Sequence, residues 1–144
     1  MSATLLGSIA RTTVPQTALR RFLALDCVVT GGNGLAYAVF CAPLGRLLGV
    51  GQGTLFGIGL FLMVYGAGVG RLAWLRRPPA LAVKFVIEAN WAWAAASLVS
   101  LFLWAAPTAA ALVWIPAQAL VVAAFAWFQR LALRAGASGA SGAQ

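Results

Sequence analysis

Histidine is absent from this 144-residue chain, and the acidic residues number two. Without histidine there is no bis-His haem ligation, and most zinc sites lose their usual donor. The two cysteines, Cys27 and Cys41, form no CxxC pair, which argues against a membrane thiol oxidoreductase. They share one apolar run, and on a single helix they would stand ~21 Å apart. A disulfide needs Cα atoms closer than ~7 Å. Charged residues make up 8% of the sequence, against roughly 25% in soluble domains. No residue set calls for a cofactor or a metal.

What the chain has in abundance is apolar side chain. Sixty-two per cent is hydrophobic and the mean hydropathy is +0.93. A soluble domain of this size cannot hide that much apolar surface, because most of its residues touch the outside. Lipid is the remaining solvent. Six tryptophans suit a protein with two membrane interfaces.

The net charge of +8 does not mark a nucleic-acid binder, which would gather its basic residues into a patch against phosphates. Here they punctuate long apolar runs, as topology signals do, with attraction to anionic headgroups as a by-product. Arg11, Arg20 and Arg21 precede the first run. Arg71, Arg76, Arg77 and Lys84 cluster between the second and third, and Arg130 and Arg134 follow the fourth. Only Arg46 falls on the other side, so both termini are expected in the cytoplasm.

The expected fold is all-α: a polytopic four-transmembrane-helix bundle with spans at about 22–42, 50–70, 80–105 and 108–128. Each span must be helical so that its backbone groups pair internally. Residues 1–21 form a cytoplasmic N-terminal segment, 22–131 the membrane domain, and 132–144 a disordered cytoplasmic tail containing AGASGASGAQ. The first run is too long for the apolar core of a signal peptide and is read as an uncleaved span. Residues 43–52 read as a short Gly-rich loop, Ala106-Pro107 as a tight turn, and Pro78-Pro79 as a stop followed by a start. A weak echo links the halves: Leu-Arg-Arg precedes spans one and three, and each then carries an acid, an asparagine and a terminal Ala-Pro. Two hairpins related by an axis along the membrane normal would produce it, as would ordinary span punctuation.

Both acids, Asp26 and Glu88, fall within spans, where an ionised group costs ~2.5–3.5 kcal/mol and so calls for a partner, a cavity or a function. Asp26, Thr30, Asn33 and Tyr37 follow an i, i+4, i+7, i+11 spacing, one stripe down span one. Such a stripe faces the bundle interior, either as hydrogen-bonding glue between helices or as a polar ligand or proton site. Glu88 lies at a similar expected depth and is the candidate supporting acid, although Lys84 one turn earlier offers it a local partner. Asn90, Trp93, Ser97 and Trp104 occupy the opposite side of span three. In span two, Gly53-x-x-x-Gly57 and Gly66-x-x-x-Gly70 are small-residue ridges for helix packing. One is assigned to the bundle, with a homo-oligomer contact as the other use. Trp114, Pro116 and Gln118 are the unusual residues of span four.

The segment VTGGNG resembles the opening of NAD-dependent sugar epimerases, whose loop reads TGxxGxxG; Thr30, Gly31 and Gly34 match. Tyr37 replaces the third glycine, and no acid follows at ~20 residues to hold a ribose. A broader likeness rests on LDCVVTGGNGLAY, on Ala42-Pro43 with the GRLLG loop, and on VWIPAQALVVAAF. In these the chain resembles small bacterial four-helix integral membrane proteins of unknown function, and it is similar to DoxX-like proteins in size and span number. That resemblance implies a multi-pass protein of the cell membrane and no particular activity. The leading functional expectation is a non-enzymatic accessory or interaction subunit with the lipid bilayer and a membrane protein as partners. The alternative is a small proton-coupled transporter or permeation pathway using Asp26.

Overall fold

The computed structural model describes the backbone of residues 2–142 and the side chains from Val14 to Gly142. Arg11, counted above as a topology signal, lies outside the described side chains. Five helices follow in order: α1 (Ser2–Val39), α2 (Cys41–Leu48), α3 (Gln52–Trp74), α4 (Ala80–Leu103) and α5 (Ala109–Ser141). Four stretches are long and apolar enough to cross a membrane: Val14–Val39, Gln52–Trp74, Ala80–Leu103 and Ala109–Ser141. The all-helical four-span architecture is therefore the one the sequence implies.

Two local features differ from the sequence reading. The 43–52 segment is mostly helix α2 rather than loop. Pro43 sits in its first turn, where a missing N–H costs nothing, and Leu48 packs inward. Gly49 then ends it in the left-handed conformation at φ 70°, donating its N–H to the Gly45 carbonyl. The 132–144 segment, read as a disordered tail, is helical as far as Ser141. Its alanines favour that state, and Gly136 lies against Pro15 and Gln16 of α1. The N-terminal segment is likewise part of α1 from Ser2 onward.

Helix α1 is the hub. It packs against α3 on one side and α5 on the other, α4 packs on α5, and α3 and α4 barely meet. Glycine explains the first of these contacts. A Cβ placed on Gly34 would lie 2.7 Å from the Gly59 carbonyl oxygen, and one on Gly66 would lie 3.0 Å from the Gly31 Cα. Here the two backbones touch directly, which no larger residue permits. Gly70 continues that ridge against the Cys27 side chain, whereas Gly53 and Gly57 face open space. The packing ridge of α3 thus runs through Gly59, Gly66 and Gly70, and Gly53-x-x-x-Gly57 takes no part in it.

At the end bearing both termini, Leu19, Leu23, Val69, Val83, Val86, Ile87 and Ala126 form one apolar cluster. At the opposite end, Tyr37, Leu48, Leu55 and Leu62 form a second. Thr108 ties this far end together: its hydroxyl accepts from the Ala111 N–H as the α5 N-cap and donates to the Leu47 carbonyl of α2. A polar layer and a cavity occupy the middle.

A buried carboxylate and a cavity between four helices

Asp26 is completely buried, and three neutral groups from three helices donate to its carboxylate. The Thr30 hydroxyl, one turn along α1, reaches Oδ1 at 2.9 Å. The Asn90 amide of α4 and the Gln129 amide of α5 both reach Oδ2, at 2.7 and 2.8 Å. Helix α3 supplies the next link, where the Tyr65 hydroxyl donates to Asn90 Oδ1 at 3.0 Å. Three of the spanning helices therefore meet at one acid, and the fourth is linked to it through Asn90. Multiple donors are what a carboxylate removed from water requires, since a buried charge without them costs several kcal/mol.

Further along α1, Asn33 and Tyr37 face α5. Asn33 Nδ2 lies 3.4 Å from Gln118 Oε1, and the Tyr37 hydroxyl approaches the same oxygen at 3.4 Å. The Trp114 indole N–H donates to the Tyr37 hydroxyl at 2.6 Å. The pairing is an antiparallel ladder. Asp26 to Tyr37 and Gln118 to Gln129 are equal lengths of helix, ~16 Å at 1.5 Å per residue, so two matching stripes run past each other. The predicted stripe Asp26, Thr30, Asn33, Tyr37 is thus brought together on one interior face.

Glu88 does not join it. It is exposed on α4, as is Lys84, because α4 is rotated to present Asn90 inward instead. Residues two apart on a helix point ~200° apart, so Asn90 and Glu88 cannot both face the acid.

Against this polar ladder lies a cavity of about 680 Å³, within the ~300–1,000 Å³ range of small-molecule sites. Thr30, Asn33, Asn90 and Gln118 give it hydrogen-bonding groups, while Phe61, Tyr65, Trp93 and Trp114 give it aromatic walls. Asp26 is not among its lining residues; it stands one hydrogen bond behind Thr30 and Asn90. The sparse α3/α4 seam lies along one side. The Phe61 and Trp93 rings stack across it, with centroids 5.9 Å apart, and Tyr65 bonds across it to α4.

Gln129 and Tyr65 are the contributors that the sequence reading misses. Gln129 falls one residue beyond the expected end of span four, although Trp114, Gln118 and Gln129 fall on one helical stripe. Tyr65 sits among glycines that draw attention to packing. Comparison of the chain with known protein families, with curated proteins and with solved structures gives no match.

Proposed function

We propose that this chain is a small proton-coupled membrane carrier, whose cargo is a compact, mostly apolar neutral molecule bearing a carbonyl or hydroxyl group. The observation that carries the reading is that Thr30 and Asn90 serve two masters, donating to Asp26 and lining the cavity. An ionised Asp26 holds those donors. A protonated one needs fewer and frees them for a ligand. The ionised carboxylate and the cargo then compete for the same donors, so proton and cargo bind together, and by linkage each raises the other's affinity by the same factor. The walls favour a neutral cargo because they offer amides, a hydroxyl and rings, with the carboxylate set behind them. The Phe61–Trp93 pair marks the α3/α4 seam as the way in from lipid. The Lys and Arg distribution supports a cell-membrane protein with both termini in the cytoplasm.

The test is flux in proteoliposomes with an imposed pH gradient, scanning small phenols, ketones and alcohols for one that dissipates it. Wild-type protein passes both proton and compound, and Asp26→Asn keeps the fold but uncouples them. Equal proton movement with Asp26→Asn would sink the proposal.

One observation favours a second reading, an accessory subunit. Glu88 and Lys84 lie exposed within a membrane-spanning stretch, where a charge ordinarily seeks a protein partner. If purification in mild detergent returned this chain alone across several lipids, that reading would lose its support.

A further inference from the structure

At the end that bears both termini, a second and separate site is built from arginine. Arg20 of α1 meets Arg76 and Arg77 of the α3–α4 connection around a cleft of about 480 Å³, with Gln16, Thr17 and Gly136 completing most of its wall. No acidic residue lines it; the chain has only two acids, and both lie elsewhere. Arg20 is held in place by its own anchor: its Nε donates to the Ala73 carbonyl at 2.9 Å. That carbonyl is one of the last of α3, which lack partners within the helix. The contact uses one of the five N–H donors of the guanidinium.

The cleft continues into the membrane. Thr17 and Arg20 also line a neighbouring groove of about 480 Å³ that runs down the α1/α3 face. Below Arg20 and Arg21 its walls turn apolar, with Ala24, Val28 and Gly70. Trp74 stands 85% exposed at its rim, where an indole suits the boundary between headgroups and acyl chains. Among the described residues, Gln16 Oε1 is buried without a hydrogen-bond partner. It is an acceptor beside a cluster of donors.

We infer that this cleft and groove form a binding site for one anionic phospholipid, with its phosphodiester among Arg20, Arg76 and Arg77 and an acyl chain along the α1/α3 groove. Arginine suits the phosphate because its planar fork donates in pairs. The site is independent of the central cavity and of any carrier activity.

Native mass spectrometry of the full chain, released from micelles doped with defined lipids, tests this. Dioleoyl-phosphatidylglycerol should be retained over dioleoyl-phosphatidylcholine. Arg76→Gln and Arg77→Gln lie in an exposed connection and should leave folding intact, while weakening retention about fivefold for each arginine removed. Arg130→Gln with Arg134→Gln, which removes equal charge outside the cleft, should change nothing. Equal retention of phosphatidylglycerol and phosphatidylcholine overturns the site. So does equal loss from both arginine pairs, which would mean diffuse attraction. Full displacement by millimolar inorganic phosphate would assign the cleft to a soluble anion and overturn the lipid.

Discussion

Gln129 Nε2 of α5 donates to Asp26 Oδ2 of α1 at 2.8 Å, across a sequence separation of 103 residues and with both side chains fully buried. This single contact fixes the register of the two helices, because it places Gln118 opposite Asn33 and Tyr37 at the other end of the ladder. It also sets the scale of what the polar layer contributes. Hydrogen bonds between neutral groups in membranes average only about 0.6 kcal/mol. One to a buried carboxylate is worth more, about 1.5–3 kcal/mol.

Gln129→Leu should therefore cost about 1.5–3 kcal/mol, measured by reversible denaturant unfolding in mixed micelles. In an Asp26→Leu background the same substitution should cost less than ~1 kcal/mol, since no charge remains to be satisfied. An identical cost in both backgrounds would show that the two residues are not coupled.

The glycine contacts make a sharper contrast. Gly34→Ala and Gly59→Ala push a methyl group into opposing backbone, and overpacking of that kind costs about 1–3 kcal/mol. Gly57→Ala meets nothing within 4 Å and should be neutral or stabilising by up to ~1 kcal/mol through helix propensity. A Gly57→Ala variant as unstable as Gly34→Ala would place a contact at that open face.

Filling the cavity should separate binding from folding. Ala117 lines the 680 Å³ space, so Ala117→Phe should stay within ~1 kcal/mol of wild type instead of paying the usual overpacking penalty. It should also abolish quenching of the wall tryptophans by a brominated phenol, a neutral probe with the ring and hydroxyl the walls can accommodate. Unchanged quenching would move the binding place elsewhere.

Glu88 gives the opposite expectation from Asp26. Exposed on α4, it should tolerate Glu88→Gln within ~0.5 kcal/mol in dilute detergent. A loss well above 1 kcal/mol would reveal a role in the fold of the isolated chain. Under the accessory reading, the same substitution would weaken co-purification of a partner without altering the melting of this protein alone.

The two hairpins suggested by the sequence echo are unequal in three dimensions. An axis relating them would map the α1/α5 contact onto the α4/α3 contact, yet the first is extensive and the second slight. The acids diverge in the same way, Asp26 buried and Glu88 exposed. The seam left open by that inequality borders the cavity.

The sequence by itself determined the class of protein, the four spans and the polar stripe of α1. Hydropathy and a helical spacing of 3.6 are local properties, read within one segment without knowing its neighbours. It also located the close approach in general terms, through the glycines of span two. Only the tertiary structure decided which glycines touch, that α4 turns Asn90 inward and Glu88 outward, that Gln129 completes the shell of Asp26, and that a cavity remains beside it. Those outcomes depend on the rotation and register of each helix against the others. They are set by contacts such as Gly34 on Gly59 and Gln129 on Asp26, between residues far apart in the chain, and no periodicity within a single helix encodes them.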